Sequence, residues 1–356
     1  MRIGVPKEIK PLEGRVGLVP AACADLVQAG HEVFVETGAG LKSGYPDAAY
    51  AGLGIRIVPT AERVYAEAEL IVKVKEPVEG DLRWLRRDHT LFCYLHLAAN
   101  RELSDRLRAI GLTAVAFETV ETPDGLLPLL APMSDIAGRL SVQIGTHLLM
   151  QPQGGKGLLL GGLPAAERGR VTVIGAGQAG GSAAAMAAAI GAEVTVFDRK
   201  HDRLQAMRAL GPNVTALYPY AEAVDRAVRD ADLLIGAVLI PGARATHVVS
   251  RAQVLAMAPG SVVVDISVDQ GGCVETTRPT TYADPTYSVG DIVHFCVTNM
   301  PGAVPRSASQ ALSAVILPYA LKLAGDADWR KDPALARGVN IEGGELAHPA
   351  VRAAVG

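Results

Sequence analysis

The chain has 356 residues, which at roughly 150 residues per domain is material for about two domains. Hydrophobic residues make up 49% and charged residues 20%, too apolar for a disordered chain and too evenly charged for a membrane bundle. The sum of Lys and Arg is 34 against 37 for Asp and Glu, a formal charge of −3 that supplies no basic field for phosphates, so nucleic acid is not an expected partner.

The first residues, MRIGVPKEIK, mix charged with apolar side chains and do not build the apolar core of a signal peptide. Four cysteines, Cys23, Cys93, Cys273 and Cys296, are too few and too scattered for a disulfide framework. We therefore expect reduced thiols and a cytoplasmic protein without a membrane segment. In chain order, RIGVP, a helical segment over 21–29, EVFVE, a helix over 60–67, ELIVKV, LFCYLHL at 91–97, the helical NRELSDRLRAIG and TAVAFETV alternate strand with helix. That rhythm predicts a parallel sheet with crossover helices, one α/β domain over 1–130. Residues 131–150 have helical spacing, with Ser134 suited to an N-cap. A second series follows: RVTVIG, a small-residue helix, EVTVFD, a helix over 201–210, ADLLIGAVL, a helix over 250–257 and SVVVDISVD. It predicts a second unit over 131–304. Helical period returns at 307–324, and residues 305–356 are expected to rejoin the first domain. The expected fold class is α/β: two Rossmann-like domains, each a mainly parallel sheet flanked by helices, with a cleft between them.

The strongest motif is RVTVIGAGQAGGSAAAMAAAIGAEVTVFDR at 170–199, where a strand runs into Gly175-Ala176-Gly177-Gln178-Ala179-Gly180 and a helix leaves it. Gly175 permits the turn, Gly177 lets backbone approach a pyrophosphate, and Gly180 lets helix and strand lie close. The helix N-terminus offers free N–H groups to an anion. Asp198, 18 positions after Gly180 at the end of the next strand, is placed to accept from the adenosine ribose hydroxyls. Its carboxylate repels a 2′-phosphate and favours NAD over NADP, although the neighbouring Arg199 tempers that preference. The other glycine cluster, QGGKGLLLGG at 153–162, lacks the Walker spacing, and we expect a mobile interdomain loop there.

Hydride transfer with such a dinucleotide needs an anchor for the substrate and a route for protons. Arg15, in EGRVGLVP, and Lys75, in VKVKEP, fall just beyond strand or helix ends, although each taken alone reads first as a solvated surface charge. His96 ends an apolar strand; a core histidine bonded to a carbonyl is the plain alternative to a proton-transfer role. Asp265 and Asp269 in VVVDISVDQGG sit at a strand end, where carboxylates are expected to point into a ligand crevice; Asp269 is equally suited to capping a turn. No CxxC or HExxH occurs, His294 and Cys296 only alternate along a strand, and no metal is expected.

The blocks MRIGVPKEIK, EGRVGLVPA, LIVKVKEP, LHLAA, PLLAPMSDIAGRLSVQ, VIGAGQAG, DLLIGAVLIPG, VDISVDQGGCVETTRPTTY and VTNMPGAVP, in this order over most of the chain, closely resemble the L-alanine dehydrogenase family. The resemblance implies reversible, NAD-dependent deamination of L-alanine to pyruvate and ammonia by a two-domain, homohexameric cytoplasmic enzyme whose substrate domain is formed by both termini. It places substrate contacts on Arg15 and Lys75, with Asn299 near the reacting centre, and proton transfer on His96 and Asp269. It places cofactor contacts on Ser134, the fingerprint residues Gly175, Gly177, Gln178 and Gly180, on Asp198, Arg203, Val238 and Leu239, on the loop Ile266, Ser267, Val268 and Asp269, and on Val297, Thr298, Asn299 and Met300. The chain departs from the family at Pro219 and Tyr220, where a serine is common, and at Arg199. The alternatives are the NAD-binding subunit of a proton-translocating transhydrogenase, a saccharopine dehydrogenase and a non-catalytic NAD-sensing module.

Overall fold

A computed structural model describes residues 1–238 and 247–356. Contacts divide the chain into two compact units, Met1–Pro132 with Val304–Gly356, and Met133–Ala303. Its strands are β1 (Arg2–Val5), β2 (Glu32–Glu36), β3 (Arg56–Val58), β4 (Leu70–Val72), β5 (Thr90–Cys93), β6 (Thr113–Ala116), β7 (Arg170–Ile174), β8 (Glu193–Phe197), β9 (Val214–Leu217), β10 (Leu233–Gly236), β11 (Val262–Asp265), β12 (Thr286–Val289), β13 (Ile292–Phe295), β14 (Val339–Glu342) and β15 (Glu345–Leu346). The architecture is α/β, two mainly parallel sheets flanked by helices. Strands β4, β10 and β11 each open with three branched aliphatics, β10 closing on Gly236 and β11 on Asp265, and are buried along their length, as strands covered on both faces are.

In the first unit the sheet order is β15-β14-β6-β5-β4-β1-β2-β3, with β14 and β15 antiparallel and the rest parallel. Chain order reverses between β1 and β4, so the loops leaving these two strands diverge and open a crevice at their carboxyl ends. The helix Pro305–Gly325, from the second segment of the unit, holds one of those loops: Ser309 Oγ accepts from Val16 N at 3.0 Å and Ser313 Oγ from Val19 N at 3.0 Å.

The second unit has the order β12-β13-β11-β10-β7-β8-β9, parallel except for the β12–β13 pair, and its reversal lies between β7 and β10. Three expectations need correction. The helix at 131–148 begins at Ala131, so Ser134 lies inside its first turn rather than at its cap; Pro132, which has no N–H to leave unsatisfied, marks the start. The 153–162 loop belongs to this unit and is tied down, Lys156 N bonding Gly260 O, Gly157 N bonding Leu149 O and Lys156 Nζ pairing with Asp232. Strand β5 stops at Cys93, so His96 stands in a turn beyond it.

Candidate active site

The first cluster is built on the loops leaving β1, β4, β5 and β6 at their carboxyl ends. After β1 the chain carries Glu8, Glu13 and Arg15. Arg15 is 3% exposed and Glu13 1%, and the two form a forked pair, Nε to Oε1 at 2.7 Å and Nη2 to Oε2 at 2.6 Å. Burial works against the guanidinium charge, but Glu13 more than offsets it and raises the Arg15 pKa. The reading of Arg15 as a solvated surface charge is thus overturned: it is a buried cation with a forked carboxylate partner, a geometry suited to presenting a guanidinium in one orientation.

After β4 come two lysines with opposite surroundings. Lys73, 1% exposed, donates to Glu8 at 3.2 Å, pairs with Asp81 at 3.3 Å and caps Lys75 O at 3.1 Å. Glu8 Oε1 accepts from Val74 N at 2.7 Å and Lys75 N at 3.1 Å. The backbone of Lys75 is therefore clamped from both sides by buried charge. Its own ammonium, among the described residues, makes no hydrogen bond or ion pair, and burial first and Arg15 second push its pKa below that of an ordinary lysine.

His96, past β5, has a side chain 46% exposed and a backbone at φ +51°, ψ +36°. A non-glycine residue there costs about 1–3 kcal/mol and persists only where its neighbours insist on it. Glu118, past β6, insists: its carboxylate accepts from His96 N at 2.6 Å and from Leu95 N at 3.2 Å. The imidazole stacks at 5.9 Å on Tyr94, whose hydroxyl donates to Leu129 O at 2.6 Å. This unit thus gathers Arg15, Lys75 and His96 on the carboxyl rim of one sheet. Glu8, Glu13, Lys73, Tyr94 and Glu118 were not singled out from sequence; the signal available was charge inside apolar runs, as in LIVKVKEP, which must be paired to be buried.

In the second unit the fingerprint leaves β7 as expected. Gly175 has φ +99°, and a Cβ at Gly180 would lie 1.7 Å from Gly175 O, so neither position admits a side chain without rebuilding the turn. At Gly177 a Cβ would meet, among the described residues, only Arg203 Nη1 at 3.7 Å, leaving open ground there at the N-terminus of the helix Gln178–Ala189. The Gln178 side chain donates to Asp135 at 2.7 Å, so toward an anion that residue offers its backbone N–H. Asp198 accepts from Ala176 N and Lys200 N, both at 2.8 Å, and from Arg203 at 3.4 Å; of about four acceptor directions on a carboxylate, about one remains. Arg199 is exposed and is not the arginine at this carboxylate. Val238 follows β10, the run Ile266 to Asp269 follows β11 and Val297 to Met300 follows β13, all on the same carboxyl rim. Leu239 lies outside the described residues. Asp265 is fully buried and does not face a crevice, while Asp269 is exposed in the turn Val268–Gln270. Tyr220 stands exposed at the start of the helix Ala221–Asp230 and packs on Tyr218 at 4.9 Å. His294 is buried, its Nε2 at 2.8 Å from Thr276 Oγ1 and its Nδ1 at 3.1 Å from Ile292 O. Among the described residues no group of three or more His, Cys, Asp or Glu could hold a metal ion, and no helix is long and apolar enough to cross a membrane.

Residues 4–137 match the family described as Alanine dehydrogenase/PNT, N-terminal domain, and residues 141–349 match Alanine dehydrogenase/PNT, C-terminal domain. The chain is 48% identical over 356 residues to the alanine dehydrogenase of Mycolicibacterium smegmatis, covering 99% of this chain and 96% of that one. It is 46% identical over 359 residues to the alanine dehydrogenase of Geobacillus stearothermophilus, at 99% and 96% coverage. Among solved structures it is similar to an L-alanine dehydrogenase at 50% identity and TM-score 0.96, over 99% of both chains. A transhydrogenase from Sinorhizobium meliloti is a more distant likeness, with 26% identity and TM-score 0.85 over 98% of this chain and 100% of that one.

Proposed function

The chain belongs to the alanine dehydrogenase/PNT family, and from that premise we propose how its residues perform the reversible NAD-dependent deamination of L-alanine to pyruvate and ammonia. It is an oxidoreductase acting on a CH–NH2 group, with small molecules as substrates and NAD as cofactor. The observation that carries the site assignment is a buried, carboxylate-held Arg15 together with a Lys75 whose ammonium is desolvated and, among the described residues, makes no hydrogen bond or ion pair, at the β1/β4 reversal.

NAD, held at the fingerprint, would supply the hydride acceptor for C2 of alanine and, in its reduced form, the hydride donor for the reverse reaction. Everything else falls to the chain. Arg15, presented in one orientation by Glu13, binds the substrate carboxylate. Lys75 holds the carbonyl oxygen of pyruvate and stabilises the negative charge that grows there as ammonia adds. His96 moves the protons that form and break the carbinolamine, with loss of water giving the iminium that is reduced. Asp269 shares that proton traffic, and Asn299 contributes near the reacting centre. The open N-terminus at Gly177 receives the pyrophosphate and Asp198 accepts from a ribose hydroxyl, which disfavours a 2′-phosphate. Ser134, Gly175, Gln178, Gly180, Arg203, Val238, Leu239, Ile266, Ser267, Val268, Val297, Thr298 and Met300 complete the proposed cofactor contacts. We place the enzyme in the cytoplasm as a homohexamer; its mass by light scattering checks the assembly.

The decisive assay is loss of NADH absorbance with pyruvate and ammonium, beside glyoxylate, NADPH and ammonium-free controls. Rapid, ammonium-dependent oxidation with pyruvate is expected; tight NADH binding without turnover would overturn the reading. Replacing His96→Ala is expected to lower turnover by about 10²–10⁴. Near-normal deamination by that variant would take His96 out of the role.

A further inference from the structure

The fully buried carboxylate of Asp265 collects hydrogen bonds from both stems of the loop that carries Asp269. Its Oδ1 accepts from Ser267 N at 3.0 Å and Ser267 Oγ at 2.7 Å, on the outgoing stem. Its Oδ2 accepts from Cys273 N at 3.0 Å, Val274 N at 3.3 Å and Thr277 Oγ1 at 2.8 Å, on the returning stem. Ile266 N bonds Gly236 O at 2.8 Å and Gly272 N bonds Ser267 O at 3.1 Å, closing the loop at its base. Space for the carboxylate is kept by two glycines: a Cβ at Gly236 would stand 3.0 Å from Oδ1, and one at Gly272 would stand 2.8 Å from Oδ2. Between the two stems, the single 3-10 turn Val268–Gln270 presents Asp269 to the outside. Cys273 Sγ adds a weaker contact to Oδ1 at 4.0 Å, and six donors converging on one anion set the separation and direction of the stems, and with them the position of the turn.

We propose that Asp265 is a positioning residue for Asp269, a buried anion that fixes the loop so that the Asp269 carboxyl is presented in one place. The proposal rests on the proton-transfer reading of Asp269 above. An amide at 265 keeps the shape but turns an –NH2 toward N–H groups on one stem, so that stem is released while the fold of the sheet is retained.

The test is a double-mutant cycle on the full enzyme, with L-alanine deamination measured for Asp265→Asn, Asp269→Asn and the pair. We expect Asp265→Asn to lower kcat about tenfold or more, with KM for L-alanine changing less than about threefold. In the Asp269→Asn background the same change should cost less than about twofold, because residues acting as one unit are not additive. Equal losses in both backgrounds would overturn the positioning role while leaving Asp269 in place. Wild-type turnover by Asp269→Asn alone would remove the reading on which the proposal stands. Should Asp265→Asn fail to fold, Ser267→Ala and Thr277→Val each delete one donor and leave the carboxylate, and the same cycle with Asp269→Asn applies to them.

Discussion

Lys75 depends on a charge that its surroundings work to remove. Burial and the nearby Arg15 both disfavour the ammonium, and its pKa is lowered from 10.5. Two residues earlier, Lys73 is buried more completely yet its pKa is raised, because Glu8 and Asp81 flank its ammonium. The segment VKVKEP therefore holds one lysine locked between carboxylates and one whose ammonium, among the described residues, makes no hydrogen bond or ion pair, and the partners that set them apart are not adjacent in sequence: those of Lys73 come from 65 residues earlier and from the following helical turn. Its place just beyond a strand end put Lys75 forward, though first as a solvated surface charge, and the resemblance to a family raised it to a substrate contact. The sign of the consequence is definite. A lysine with a lowered pKa sheds its proton at lower pH than an ordinary one, so KM for pyruvate should begin to rise on the alkaline side before the usual lysine range is reached. Lys75→Arg keeps its charge over that range and should show a higher but pH-independent KM there. A wild-type KM that stays flat until the ordinary lysine range would count against Lys75 as the carbonyl contact.

At the scale of elements, alternation of apolar runs with helical spacing was enough to read two parallel sheets and to find the fingerprint, because period and glycine placement are local properties. Element ends were not legible in the same way. ELIVKV and LFCYLHL read as strands to their last apolar residue, yet β4 stops at Val72 and β5 at Cys93. In both cases a carboxylate from a neighbouring loop accepts from backbone N–H groups just past the strand: Glu8 from Val74 and Lys75, Glu118 from Leu95 and His96. These are tertiary events, and they place Lys75 and His96 in loops, where a site can use them. The fingerprint invites a test that separates fold from ligand. Gly180→Ala drives a Cβ into Gly175 O and should destabilise the unit by about 1–3 kcal/mol or more, seen in urea unfolding without cofactor. Gly177→Ala meets nothing closer than 3.7 Å among the described residues and should leave unfolding within about 0.5 kcal/mol of wild type. It should nevertheless weaken NADH binding about tenfold or more, since the methyl stands where backbone and pyrophosphate would touch. Equal effects of the two substitutions on stability would refute this division of labour.

Taken over the whole molecule, the four cysteines report on each unit separately, Cys23 and Cys93 in the first and Cys273 and Cys296 in the second. All four are buried and none is bonded to another, in keeping with the reduced thiols expected from their spacing. Burial pushes every one of them up, Cys296 to about 11 and Cys273 to about 12, with Cys23 and Cys93 also raised well above the ordinary thiol value. The thiolate is the reactive species, so at neutral pH the native protein should be inert to a thiol reagent and should expose four reactive thiols when unfolded. Slow labelling of the native enzyme must then pass through opening of the unit that holds the thiol. A ligand that binds only the closed form lowers the open population by the factor 1 + [L]/Kd, about a hundredfold at 100 times Kd. Because the fingerprint lies in the second unit, saturating NADH should slow labelling of Cys273 and Cys296 by about that factor, and more than it slows Cys23 and Cys93. Mass spectrometry of the labelled peptides makes the comparison directly. Protection confined to Cys23 and Cys93 would place the cofactor on the wrong unit in this account.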